Sequence, residues 1–140
     1  MKILLAADGS AYTQHILDYL ARHTVWMDPQ HAYTVLHAIA PVPALAASML
    51  DHGALKHHYD EEAQRVFAPL KPFFERNGLQ ADYVCRIGHA AEVIAETAVN
   101  GRHDLAVMGS HGHGAFSKLV MGSVSTKVLA HCSTPVLLVR

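Results

Sequence analysis

What most constrains this chain is an alternation along it of short, continuously apolar runs with longer stretches whose apolar residues recur at helical spacing. A strand covered on both faces is apolar at every position, whereas a helix lying on a sheet needs only one apolar stripe. The alternation therefore predicts an α/β domain, a parallel sheet with crossover helices on both faces. Residues 2–7 (KILLAA) read as the first strand, 32–39 as the second, 80–87 as the third, 105–108 as the fourth and 135–139 as the fifth. Between them, residues 12–27 place Ile16, Leu17, Leu20 and Ala21 on one helical face. Residues 91–100 do the same with Ala91, Ile94, Ala95 and Ala98, and a last helix is expected over 122–131. Right-handed crossovers leave few ways to wind five such strands.

Local breakers set the boundaries. Asp8-Gly9-Ser10 ends the first strand and Asp28-Pro29 the first helix. A long helix is expected over residues 54–77, with Val66, Phe67, Leu70, Phe73 and Phe74 inward, but Pro69 and Pro72 fall inside it. An interior proline costs about 3 kcal/mol, so a kink or a break is predicted there, with Gly78 as the stop. Residues 41–53, with Pro41, Pro43 and a run of small side chains, read as a loop or a short helical excursion.

Composition enters mainly by exclusion. With 140 residues, 51% hydrophobic and 16% charged, the chain can fill one core, so residues 1–140 are expected to form a single domain. A net charge of −1 offers no basic footprint for nucleic acid and no polybasic patch for a membrane surface. The apolar start is cut short by Asp8 without a small-residue cleavage site, so no leader is expected. No segment reaches the roughly 18 apolar residues of a membrane span, and the expected location is the cytoplasm. Cys85 and Cys132 stand far apart and outside any CxxC pair, which predicts buried thiols rather than a disulfide or a metal site. The 12 histidines are unusual. Neither His52, His57 and His58 nor His111 and His113 has a cysteine or carboxylate partner at a known ligand spacing, so they are read as solvated.

Ligands of open parallel sheets bind beyond the carboxyl ends of the strands, where the strand order reverses. Asp8-Gly9-Ser10 follows the first strand. Gly109-Ser110-His111-Gly112-His113-Gly114 follows the fourth, and Gly122-Ser123 opens the last helix. Glycines let backbone N–H groups approach an anion, and a helix N-terminus adds unpaired donors with partial positive charge. The pattern is that of an anion site, with Lys118 the single lysine inside the loop. Some residues admit two readings. Asp8 suits a ligand contact or the N-cap of the first helix, and Ser123 a cap or a phosphate donor. His111 and His113 suit phosphate contacts or an exposed loop. No glycine precedes Lys-Ser or Lys-Thr, no GxGxxG follows the first strand, and GxSxG is missing. No carboxylate pair adjoins the glycine loop, so no catalytic residue is assigned.

The segment Gly109-x2-Gly112, nine further residues and Gly122-Ser123 resembles the Gly-x2-Gly-x9-Gly-Ser/Thr signature of ATP-binding universal stress proteins. The likeness runs along nearly the whole chain. The stretch from Ile3 to Ser10 is similar to the family's opening strand and acidic residue, and Val35-Leu36-His37-Ala38 to its second strand. The stretch from Asp104 to Gly112 is similar to its fourth strand and loop, and that from Thr134 to Val139 to its ending. Gly88-His89-Ala90 departs from the family, which often has proline after that glycine, and this bears on where the third helix begins. Residues 41–59 are variable in such proteins.

The resemblance implies a Rossmann-like, adenine nucleotide alpha hydrolase-like fold with a doubly wound five-stranded sheet of order 3-2-1-4-5. It implies ATP, or ADP or AMP, as ligand, with Mg²⁺ or Mn²⁺ on the phosphates. Ala6 and Ala7 would line the base side, Ala38 would read adenine through its backbone, and Met108 would pack near the nucleoside. Asp8 would hydrogen-bond the ribose or reach the phosphate-bound metal. Gly109, Ser110, His111 and Gly112 would wrap the phosphates, with Gly122, Ser123, Val124 and Ser125 closing from the helix. The family's habit of pairing through the last strand implies a homodimer, since an apolar edge invites a second copy. The alternative is a monomer whose edge is covered by residues 41–59. A nucleotide-binding stress-response or regulatory protein is the leading expectation. A slow ATPase or nucleotidyl-transfer enzyme of similar fold comes second, and an interaction module with a vestigial pocket third.

Overall fold

The protein's structure, a computed structural model, describes residues 1–112 and 121–140. His113, Gly114 and Lys118 of the glycine loop lie outside those residues. Strands β1 (Lys2–Ala6), β2 (Ala32–Ile39), β3 (Gln80–Ile87), β4 (Leu105–Gly109) and β5 (Val136–Val139) form one sheet of order β3-β2-β1-β4-β5. Every pairing in it is parallel, as expected. β1 is central, with Ile3 opposite Tyr33 of β2 on one side and Leu105 of β4 on the other.

Alternate residues of each strand feed opposite faces, which is why the interior strands β1, after Lys2, and β4 are continuously apolar, while the edge strand β3 carries Gln80, Asp82 and Arg86. On one face Ile3, Leu5, Val35 and Val107 pack beneath α1 (Ala11–Arg22) and the aromatic side chains Phe67, Phe73 and Phe74. On the other, Leu4, Leu36, Ala106 and Met108 pack with Val93, Ile94 and Ala98 of α5 (Ala90–Asn100) and Val128 of α6 (Ser123–His131). Tyr33 is fully buried on the first face, with its hydroxyl donating to Trp26 O at 2.8 Å.

The helical boundaries differ from the reading in instructive ways. The first helix stops at Arg22, and Thr24–Met27 is a separate turn of 3₁₀ helix. Its apolar face ends with Leu20, while Thr24 and Val25 are β-branched and Val25 is exposed. The break expected at the prolines is present: α3 (His52–Phe67) ends just before Pro69, and α4 (Lys71–Arg76) carries Pro72 in its first turn, where a missing N–H costs nothing. Despite the Gly88-His89-Ala90 departure, α5 begins at Ala90, one residue earlier than expected. The excursion contains a short helix, α2 (Ala44–Ser48). It is tied to α3 by Val42 N–H donating to Tyr59 Oη at 3.0 Å, and Tyr59 lines a groove with Cys85 and Ile87 of β3. The excursion therefore belongs to the β3 side and not to the β5 edge. Contrary to expectation, Cys85 is exposed, because it lies on the edge strand β3, and Cys132 is half-buried.

Candidate functional site

Strand order reverses between β1 and β4, whose chains leave the sheet for opposite faces, β1 into α1 and β4 toward α6. The gap at their carboxyl ends opens into a cavity of about 420 Å³. Of the residues singled out in the sequence, Ala6, Ala7, Asp8, Ala38, Met108, Gly109, His111, Gly112, Gly122, Ser123, Val124 and Ser125 line it. Ser110 does not; it is buried beside the wall. The sequence reading missed Tyr12, Thr13, Leu36, His37, Ala90, Ile94 and Met121, which line the cavity too.

The turn between β1 and α1 is built around Thr13, which is buried. Its Oγ1 accepts from the Asp8 and Gly9 N–H groups at 3.1 and 3.2 Å and donates to Asp8 Oδ1 at 3.0 Å. Asp8 Oδ1 also accepts from Ser10 N–H at 2.9 Å. Ser10, not Asp8, occupies the N-cap position of α1. The aspartate carboxylate thus orders the turn from two residues upstream.

On the opposite wall, Gly122 is the N-cap of α6, so Ser123 is the exposed first residue of the helix and not its cap. Gly122 N–H donates to Ser110 O at 2.9 Å. Ser125, almost fully buried, places its hydroxyl 2.9 Å from both Ser110 O and Gly122 O. Ser110 N–H is taken by Val139 O of β5 at 2.8 Å, and Ser110 Oγ lies 3.0 Å from His111 Nδ1. Ser110 therefore joins β4, β5 and α6 behind the wall and orients the His111 ring. That ring in turn packs against Tyr12, centroid to centroid 5.4 Å.

The three signature glycines mark three close approaches. A Cβ on Gly109 would sit 2.6 Å from Tyr12 Cβ and 2.8 Å from His111 O. On Gly112 it would sit 2.6 Å from Asp8 Oδ2, and on Gly122 3.1 Å from Ser110 O. At Gly109 and Gly112 protein occupies the place of a side chain, so something must shift to admit one, whereas at Gly122 a Cβ would make a tight contact.

The cavity has two characters. Ala6, Leu36, Ala38, Ile94 and Met108 make an apolar floor, while the other end is made of glycine backbone and the start of α6. Helix geometry leaves the N–H groups of Ser123, Val124 and Ser125 without an acceptor within the helix, and their dipoles give that end partial positive charge. Among the described lining residues there is no lysine or arginine, and Asp8 is the only carboxylate. Nor do the described residues include a group of three or more His, Cys, Asp or Glu side chains able to hold a metal ion.

The profile of the Universal stress protein family matches residues 1–140. The chain belongs to the universal stress protein family. It is 32% identical over 140 residues to universal stress protein Slr1230 of Synechocystis sp., covering 99% of this chain but 42% of that protein. With the universal stress protein in the QAH/OAS sulfhydrylase 3′ region of Thermus aquaticus it shares 38% identity over 139 residues, covering 99% and 97% of the two chains. This universal stress protein thus spans less than half of the first relative's length and nearly all of the second's. Among solved structures it is similar to MJ0577 of Methanocaldococcus jannaschii, with a TM-score of 0.80, 25% identity, and 99% and 94% coverage. It shares its fold with an Arabidopsis thaliana family member with AMP bound (TM-score 0.72, 15% identity, 99% and 90% coverage). It also shares it with the Archaeoglobus fulgidus protein in complex with dAMP (TM-score 0.67, 17% identity, 100% and 98% coverage). Among the described residues no helix is long and apolar enough to cross a membrane.

Proposed function

We propose that residues 1–140 act as one unit that binds an adenine nucleotide in the cavity between β1 and β4, as a nucleotide-responsive stress or regulatory protein of the cytoplasm. The observation that carries this reading is the cavity's polarity: an apolar floor leading to the N-terminus of a helix. The AMP and dAMP held by proteins of the same fold support it. In this reading Ala6, Ala7 and Met108 flank the base, and the main chain at Ala38 reads the adenine edge. Gly109, His111, Gly112, Gly122 and the first turn of α6 face the phosphates, with Ser110 supporting them from behind.

A triphosphate brings several negative charges, and the described lining residues include no lysine or arginine. Asp8, the only carboxylate among the described lining residues, can hold ribose hydroxyls or one side of a Mg²⁺ or Mn²⁺ ion carried in by the phosphates; such an ion would screen the triphosphate. The ion would be held mainly by the nucleotide. Mass spectrometry of the small molecule released on denaturation, with calorimetry of ATP, ADP, AMP and GTP, tests the proposal. The expected result is about one adenine nucleotide per chain, with ATP strengthened by Mg²⁺. GTP bound as tightly as ATP would sink the adenine assignment.

We propose further that two copies pair through β5. It is an edge strand, and the excursion that could have covered it lies on the β3 side. An isologous antiparallel pairing would satisfy its free backbone groups. Light scattering should give a dimer at micromolar concentration and a folded monomer for Leu137→Lys. A wild-type monomer defeats this interface.

A further inference from the structure

We propose that His37 is a positioning residue of the nucleotide site, holding in place the turn that presents Asp8; the proposal rests on the nucleotide reading above. The regular pairing of β1 with β2 ends at Ala6 opposite Leu36. One residue on, Ala7 is gripped by β2 through both of its main-chain groups. Its N–H donates to Leu36 O at 2.9 Å, and its carbonyl lies 2.8 Å from His37 Nδ1. A carbonyl oxygen only accepts, so Nδ1 carries the proton and donates. An imidazole N–H thus takes the place of the next strand N–H, and the residue after Ala7 is Asp8.

The rest of the ring is poorly served by its surroundings. His37 is only 6% exposed and stands edge-on to Phe67, with ring centroids 6.3 Å apart. Its Nε2 is buried without a hydrogen-bond partner. A buried acceptor left unpaired is destabilising, and an aliphatic side chain would fill the same space without one. What the imidazole supplies in return is a donor to Ala7 O. Thr13 and Asp8 tie the turn together internally, and beyond the Ala7 N–H bond to Leu36 O, His37 adds the tie to the sheet that lies nearest Asp8. Without that tie the turn keeps its shape and loses its registry with the β4 wall, where Gly112 packs against Asp8.

The test compares His37→Leu, His37→Asn and His37→Gln with wild type, using Mg²⁺-ATP calorimetry, thermal melting and amide hydrogen exchange. Asparagine carries its amide nitrogen at the δ position, as Nδ1 does, whereas glutamine carries it one bond farther out. His37→Leu should melt within roughly 3 °C of wild type, since it exchanges one unpaired buried group for another. It should bind ATP about three- to tenfold more weakly, the effect of one hydrogen bond, and exchange its Asp8 and Gly9 amides faster. His37→Asn should recover most of the affinity and His37→Gln should not. Imidazole ¹⁵N spectra of the wild type should show the Nδ1-protonated tautomer. Wild-type affinity in His37→Leu, equal losses in the Asn and Gln variants, or an Nε2-protonated ring each overturns the proposal. If His37→Leu does not fold, the Asn and Gln pair decides. If the wild type binds no ATP, the nucleotide reading falls, and the exchange rates of Asp8 and Gly9 decide the positioning role: unchanged rates in the variants overturn it.

Discussion

Replacing Gly112 with alanine tests how the two halves of the site fit together. The new Cβ would lie 2.6 Å from Asp8 Oδ2, whereas ordinary contact begins at 3.4 Å, so loop or carboxylate must yield by about 0.8 Å. The carboxylate is not free to swing, because Oδ1 is held by Ser10 N–H at 2.9 Å and Thr13 Oγ1 at 3.0 Å. Hydrogen bonds to charged groups contribute about 1.5–3 kcal/mol each, so stretching two of them should cost about 1–3 kcal/mol. Thermal melting of the ligand-free protein should register a fall of roughly 3–8 °C. If nucleotide engages Asp8, calorimetry should show ATP weakened about tenfold as well, equivalent to about 1.4 kcal/mol. A double-mutant cycle isolates the cause. In an Asp8→Ala background the collision is gone, and adding Gly112→Ala should cost less than about 0.5 kcal/mol. The same cost in both backgrounds would refute the reasoning, since it would mean that the alanine acts on something other than the carboxylate.

Three further expectations follow from the same geometry. Gly122→Val presses a branched side chain against Ser110 O, 3.1 Å from the new Cβ, and His111 Cα at 3.2 Å; it should weaken ATP by about 2 kcal/mol, and calorimetry showing normal binding would place the ligand elsewhere. Hydrolysis should be slow, because Asp8 is the only carboxylate among the described lining residues and no P-loop lysine is present; turnover of about 1 per second or more in a phosphate-release assay would promote the enzyme reading. Burial pushes the Tyr33 phenol up to about 12. The folded state thus keeps a proton that the unfolded chain loses near pH 10, so this stability is full below pH 10 and is lost between pH 10 and about 12. The slope is about 1.4 kcal/mol per pH unit, and denaturant midpoints that stay level to pH 12 would contradict it.

The frame of the fold was legible because it depends on periodicity. Leu4 and Leu5 face opposite sides of one strand, so both sides of the sheet had to be covered, and the runs of β1, β2 and β4 could not be solvent-facing. Helix ends were legible where a residue has no alternative, as at Pro69 and Pro72, and illegible where the limit is tertiary. No glycine or proline stops the helix at Arg22; its buried face ends with Leu20, and Trp26 and Met27 reach the core from a separate 3₁₀ turn instead of from a continued helix. Thr13, Tyr12 and His37 were missed in the site for a related reason. Each occupies an ordinary strand or helix position, and its role appears only when another segment supplies the partner: the Asp8 turn for Thr13, His111 for Tyr12, Ala7 for His37.

The glycine signature was legible for a reason other than the one first attached to it. From sequence alone its glycines are openings through which backbone N–H groups reach an anion. In the fold, Gly122 N–H is already committed to Ser110 O, and the spaces beside Gly109 and Gly112 are filled by Tyr12 and Asp8. The spacing therefore records where the end of β4, the turn before α1 and the start of α6 must touch. The N–H groups left without an acceptor inside the helix are instead those of the residues after Gly122. A pattern of this kind can persist in a protein that binds nothing, provided that the three segments still close on one another. What distinguishes a working site is the cavity left between them: an apolar floor from Ala6 to Met108 at one end, and a helix N-terminus at the other.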